Sequence, residues 1–262
     1  MKYKTSVKNW EGLAQNDALW SILTDSSKKG EKWNPEDFFK SGQIEVDTSL
    51  KILRDNQIEI SKTHSAIDFG CGAGRLSRAL TEHFSRVVGI DASPTMIEIA
   101  RKGNEDLNSQ LSFELNEKGD LSFLPSNSVS FALSFIVLQH IPHPQSLKFV
   151  SEFVRVLEKG GLAVFQVPVK DLRKLSLWQK FKTFIRIRER LALIGIGKGF
   201  QMDMHILEEN QIQQAVESQN GKIEKSFFSN QTLPDYNGDL KIYPTETEAC
   251  GYLSKIFVVR KS

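Results

Sequence analysis

The chain has 262 residues, 40% of them hydrophobic, and its 34 basic and 32 acidic residues leave a formal net charge of +2. That balance excludes a global pull toward nucleic acid or an anionic surface, and the length suits one α/β domain with an appendage. Two cysteines, Cys71 and Cys250, are too few for a disulfide framework and lack metal-ligand spacing, so a reducing cytoplasm is expected. The charged start, Met1 to Ser6, leads into no apolar segment of signal-peptide or membrane-span length.

Residues 1–62 read as helical. Asn34-Pro35-Glu36-Asp37 is a helix start, with a capping side chain, a proline at the first helical position and acids at the helix's positive end. From Ser65 the pattern changes to short apolar runs at 66–69, 86–90, 111–115, 129–137 and 161–167, separated by helical stretches. One such helix opens at Ser93-Pro94, another spans 146–157, and Gly160-Gly161 turns the chain into the fifth run. Strands alternating with helices predict a parallel sheet covered on both faces. A further helix is expected over 207–218, followed by two last strands over 222–228 and 251–260.

The first apolar run leads into Asp68-Phe69-Gly70-Cys71-Gly72-Ala73-Gly74. Glycines at alternate positions remove the side chains that would keep a ligand from the backbone, and the next helix aims its free N–H groups at that place. Asp68, two residues before the first glycine, sets a carboxylate at the strand's end. It suits a cationic ligand better than a pyrophosphate, which favours S-adenosylmethionine over a dinucleotide. Asp91 follows 21 residues beyond Gly70, where a carboxylate can accept hydrogen bonds from both ribose hydroxyls.

On these residues the chain resembles the Rossmann-like, class I S-adenosylmethionine-dependent methyltransferases over about residues 63–169, with looser agreement beyond. The resemblance implies that Asp68, Gly70, Cys71, Gly72 and Gly74 hold the methionine part of the cofactor, and that Asp91, Ala92 and Met96 serve its ribose and adenine. It also implies a polar residue for the adenine amino group, with Asn116 and Asp120 as candidates, and Ile136 in the 134–141 segment that matches the family's fourth strand and following turn. Residues 154–161 match the approach to strand five. Ser130 and Lys159 stand where an aspartate and a proline are usual, and neither position touches the cofactor in the expected fold. That fold is α/β and three-layered, with a mostly parallel seven-stranded sheet, an antiparallel last strand and an N-terminal helical cap.

Methyl transfer from a sulfonium is an in-line displacement on an activated carbon, so alignment matters more than a strong acid–base signature. His140, just past the fourth strand, is the histidine placed to act as a general base; His64, His83, His143 and His205 suggest no metal site. The fourth strand lacks the Asn-Pro-Pro-aromatic motif of amino-methylating enzymes, and no Pro-Cys pair offers a covalent nucleophile, which disfavours nucleic-acid bases as acceptors.

Between residues 170 and 190 lie eight basic residues and two acidic ones, on a helical pattern with an apolar face of Leu177, Trp178, Phe181, Phe184, Ile185 and Leu191 into which Arg188 intrudes. This basic insert reads in three ways: a lid with a solvated outer face, a lid that binds an anionic acceptor, or a peripheral membrane contact through 170–191. The glycines at 195, 197 and 199 would serve as its hinge. The expected organisation is a cap over 1–62, a cofactor-binding core over 63–169, the insert over 170–200 and completion of the sheet over 201–262. The expected activity is methyl transfer from S-adenosylmethionine, giving S-adenosylhomocysteine, to a small-molecule or lipid- or sugar-linked acceptor. The competing readings are a non-catalytic module that binds the same cofactor and a nicotinamide oxidoreductase.

Overall fold

The computed structural model describes residues 3–60, 63–173, 202–233, 235–246 and 251–262. Two helices lead, α1 (Tyr3–Ile22) and α2 (Pro35–Asp55), the second capped by Asn34, whose side chain accepts the N–H groups of Glu36 and Asp37. Then come β1 (Ala66–Phe69), α3 (Arg75–Leu80), β2 (Val87–Asp91), α4 (Pro94–Gly103), β3 (Leu111–Leu115), β4 (Val129–Ser134), α5 (Gln145–Val156) and β5 (Leu157–Asp171). After the undescribed segment follow α6 (Glu209–Glu217), β6 (Gly221–Ser229), β7 (Ile242–Tyr243) and β8 (Tyr252–Lys261). No helix among the described residues is long and apolar enough to cross a membrane.

The sheet order is β3-β2-β1-β4-β5-β8-β6-β7. Strands β1 to β5 pair in parallel, β8 lies antiparallel between β5 and β6, and β7 pairs antiparallel with β6. The sheet therefore has one strand more than the seven expected, because β7 is too short to leave a periodic trace in the sequence. Strand β5 is longer at both ends than the 161–167 run, since Leu157 already pairs with Val129 of β4 and β8 remains paired out to Asp171↔Tyr252. The expected insert boundary at 170 thus falls inside the strand.

Successive strand residues point to opposite faces and feed two cores. Ala66, Phe131, Leu133, Leu162 and Val164 join α2, α3 and α4 on one side. Ile67, Ala132, Ala163 and Phe165 join α5 and α6 on the other. With both faces covered, β1 and β4 are buried along their whole length, as parallel strands in the middle of a sheet require.

Helix α1 is broken at Asp17, whose backbone leaves the helical region (φ −158°, ψ 84°). The Asp17 carboxylate accepts the N–H groups of Trp20 at 3.3 Å, Gly30 at 2.7 Å and Glu31 at 3.0 Å, so it caps the second half of α1 and ties it to the loop before α2. Residues 174–201 lie outside the described residues, and with them the amphipathic basic helix and its glycine hinge. Of the basic residues at the start of that stretch, Lys170 pairs with Glu246, and Arg173 pairs with Asp171 and stacks 4.4 Å over the Tyr252 ring.

Candidate active site

The order of strands reverses between β1 and β4, and a cavity opens there at the carboxyl ends of β1, β2 and β4, the place where open α/β sheets bind ligands. Counted out to its open mouth, solvent space included, it encloses about 1020 Å³. Its floor is the glycine turn. Gly70 has φ +77°, and a Cβ there would lie 2.2 Å from Val137 Cγ2; at Gly72, with φ +52°, it would lie 2.6 Å from Ile22 Cδ1. At Gly70 only glycine fits, at Gly72 a side chain would be strained and would push Ile22 aside, and the turn between them faces the cavity.

The carboxylates of the two strand ends meet at this turn. Asp68 is buried, and Ser77 Oγ donates to its Oδ2 at 2.6 Å. Burial lifts its carboxyl to about 6, against the Ser77 hydrogen bond and the Arg75 charge, which both favour the ionised form. Asp91 accepts the Gly72 N–H on Oδ2 at 2.9 Å and the Ser93 N–H on Oδ1 at 2.8 Å, bracing the turn against the start of α4. Desolvation raises its carboxyl as well, against those backbone donors.

Of the residues expected at the site, the structure brings Asp68, Gly70, Cys71, Gly72, Asp91, Ala92, Met96, Asn116, Ile136 and His140 to one cavity. Asn116 Oδ1 accepts the Gly119 N–H at 3.1 Å, while its buried Nδ2 has no partner among the described residues. The other candidate for adenine, Asp120, is outside the cavity lining; it turns to the surface and accepts from the N–H and Oγ of Ser122, which hold its carboxyl low. Gly74 is also outside the lining. It caps α3 at φ +83°, and a Cβ there would meet Asn104 Nδ2 and Phe113 Cζ at 2.8 Å, so its place is structural.

His140 stands in the wall, but neither ring nitrogen is open to an acceptor. Nδ1 lies 2.7 Å from the carbonyl of Asp203 and must donate to it, which leaves Nε2 to accept from Gln139 Nε2 at 3.0 Å. Burial lowers its pKa to about 4, against the hydrogen bond to Asp203. The ring is neutral and fully engaged, and the tilted indole of Trp10 covers it at 4.7 Å. In this arrangement His140 orients the wall; the general-base role expected of it lacks a free nitrogen.

Ile136 departs from the strand expected over 129–137. Strand β4 ends at Ser134, and Ile136 adopts φ +62°, a left-handed conformation that costs a β-branched residue on the order of 1–3 kcal/mol. Its N–H is held by Gln166 Oε1 at 3.1 Å.

Residues that sequence reasoning did not place at the site complete it. Tyr3, Ser6, Val7 and Trp10 of α1 roof the cavity. Glu11 clamps this roof: its carboxylate accepts from Ser93 Oγ and Thr95 Oγ1, both at 2.6 Å. Slight burial would raise the Glu11 carboxyl, but these hydrogen bonds outweigh it and hold the group low. Burial, with Asp91 and Asp120 nearby, pushes the Tyr3 phenol up to about 12. Among the described residues Arg75 is the one Lys or Arg that lines the cavity. Its guanidinium pairs with buried Glu45 at 2.5 Å, and its Nε has no partner among the described residues. A basic residue right after the last glycine was the available signal for Arg75.

The strand order, the crevice and the glycine turn define a Rossmann-like α/β fold of the class I methyltransferase type. Residues 66–161 match the family described as Methyltransferase domain. A ubiquinone biosynthesis O-methyltransferase of Coxiella burnetii is 27% identical over 135 residues, covering 51% of this chain and 55% of the relative. An uncharacterized methyltransferase of Schizosaccharomyces pombe is 34% identical over 130 residues, covering 46% and 49%. The chain thus spans about half the length of the curated relatives it matches. Among solved structures, magnesium protoporphyrin IX methyltransferase from Synechocystis with bound S-adenosylhomocysteine has TM-score 0.54 and 18% identity, over 85% of this chain and 84% of that one. An S-adenosylmethionine-dependent methyltransferase of Leishmania major has TM-score 0.59 and 13% identity, over 98% and 82%. At these identities the structural likeness is one of fold.

Proposed function

We propose that the chain is an S-adenosylmethionine-dependent methyltransferase acting on a small-molecule or lipid- or sugar-linked acceptor. The observation that carries this reading is the pair of strand-end carboxylates around a bare glycine turn, with Asp91 braced on Gly72 and facing the cavity. The donor set fits the cofactor. Asp68 offers negative charge to a sulfonium or ammonium, Asp91 keeps lone pairs for ribose hydroxyls, and the unpartnered Asn116 Nδ2 supplies a donor for the adenine ring. Arg75 Nε suits the methionine carboxylate. When bound, the cofactor supplies a methyl group already activated on sulfur.

The remaining work falls to the protein's own side chains. Val137 and Ile136 narrow the cavity against Gly70, Trp10 and Tyr3 shield it from water, and Glu11 keeps that roof closed. Alignment in a shaped cavity supplies most of what displacement on an activated carbon needs. With both ring nitrogens engaged, His140 is not the group that takes a proton from the acceptor. The two cysteines, one of them a buried thiol, support a reducing, cytoplasmic setting.

Calorimetric titration tests the reading. S-adenosylmethionine should bind the wild type, a nicotinamide dinucleotide should not, and Asp91→Ala should weaken the former by at least about tenfold through lost charge-assisted hydrogen bonds. No binding by the wild type, or unchanged affinity in Asp91→Ala, refutes it. Release of S-adenosylhomocysteine in the presence of a small-molecule extract separates an enzyme from a non-catalytic binding module.

A further inference from the structure

Three residues of the cavity wall, Arg75, Ile136 and His140, come from different elements yet end on one buried chain of hydrogen bonds that passes beneath the cavity. Its junction is Gln166 on β5, whose side chain is fully buried. An amide has one acceptor oxygen and two N–H donors, and Gln166 uses each kind. Oε1 accepts the Ile136 N–H at 3.1 Å, and Nε2 donates to Gln139 Oε1 at 3.1 Å and to Ser254 Oγ at 2.8 Å.

The direction of every bond follows from the ends. The Ile136 N–H can only donate, which turns the Gln166 oxygen toward it. The Asp203 carbonyl can only accept, so His140 donates from Nδ1, receives from Gln139 at Nε2, and leaves the Gln139 oxygen for Gln166. On the other branch Ser254 Oγ passes the chain to Ser229 Oγ at 3.0 Å, and Ser229 donates to Gln231 Oε1 at 3.4 Å. Gln231 Nε2 then donates to Glu45 Oε1 at 2.9 Å, and Glu45 holds Arg75. No member needs to change orientation to satisfy its neighbour.

We propose that Gln166 is a positioning residue for methyl transfer. It holds Ile136 in its left-handed turn and fixes the Gln139 amide with its N–H toward His140 Nε2, so that the ring keeps one orientation. The wall facing the glycine turn is then shaped before either reactant arrives. The inference rests on the methyl-transfer reading. It differs from a packing role because the amide is asked to hold backbone and side-chain geometry, not volume.

Gln166→Met keeps the size and removes all three hydrogen bonds, and Gln166→Glu keeps an acceptor for the Ile136 N–H. With the full chain, S-adenosylhomocysteine as the binding probe and a small-molecule extract as the acceptor source, Gln166→Met should bind the probe within about threefold of wild type. Its rate of S-adenosylhomocysteine release should fall by about tenfold or more, and the Ile136 amide should exchange about a hundredfold faster while β4 amides do not. Gln166→Glu should restore Ile136 protection and part of the rate. Ser254→Ala removes the third Gln166 bond and the Glu45 branch but leaves those to Ile136 and Gln139, and should stay within about twofold of the wild-type rate; Gln166→Glu, read by Ile136 exchange and rate, keeps the test decisive if Gln166→Met does not fold. A Gln166→Met rate within twofold of wild type, a parallel fall in probe affinity and rate, or a tenfold loss in Ser254→Ala overturns the positioning role. A wild type that neither binds the probe nor releases it overturns the methyl-transfer reading itself.

Discussion

Lowering the pH from 8 to 5 should weaken S-adenosylmethionine binding through Asp68. Burial lifts this carboxyl from 3.8 to about 6 in the ligand-free protein, a change worth about 3 kcal/mol. Because the folded-state value is raised, the protonated form is the favoured one. The contribution of this group to folding is whole below pH 3.8 and is lost as pH rises through about 6. Binding has the opposite sign: a cation beside Asp68 favours the ionised form, so affinity grows as pH rises through the same window. If the bound carboxyl titrates at about 4 or below, affinity at pH 5 is about tenfold weaker than at pH 8. His140 titrates near 4, below this window, and does not contribute to the slope. The assay is calorimetry at intervals from pH 5 to 8, with wild type and Asp68→Asn. Flat affinity in the wild type, or an unchanged slope in Asp68→Asn, refutes the reasoning.

Glu45→Ala strands a buried guanidinium together with the Tyr236 hydroxyl and Gln231 amide that donate to the same carboxylate; the expected loss in chemical denaturation is about 3–5 kcal/mol, and a loss under about 1 kcal/mol contradicts it. Gly70→Ala places a methyl group 2.2 Å from Val137 Cγ2 at φ +77°, so S-adenosylmethionine affinity should fall by about tenfold or more in a chain whose circular dichroism still shows the native helix content. Glu11→Ala frees α1 from the start of α4, and amides of residues 4–16 should exchange about tenfold faster with α2 unchanged.

What was legible in the sequence is what is local in the chain. The glycine turn, the Ser93 and Asn34 caps and the alternation of strands with helices each occupy a few consecutive residues, and each is found where expected. Ile136 was hidden because the apolar run 129–137 reads as one strand and a β-branched residue argues against a left-handed turn; only Gln166, 30 positions away, explains why it is tolerated. The roof was hidden for a different reason. One side of α1 faces a cavity and not the core, so it carries Tyr3, Ser6 and Trp10 in place of an apolar stripe. The Arg75–Glu45 pair joins residues 30 apart, and Gln231 reaches Glu45 across 186, separations at which no spacing rule applies.

The break at Asp17 divides labour within α1. Ahead of it, residues 3–16 carry the roof; behind it, Ile22 presses on Gly72 and fixes the space above the glycine turn. The Asp17 carboxylate anchors the second half to Gly30 and Glu31, so Ile22 is held over the glycine turn independently of the contacts that hold the first half. Roof and floor of the cavity are thus held by separate anchors on one helix, Glu11 on Ser93 and Thr95 for the first and Asp17 on Gly30 and Glu31 for the second.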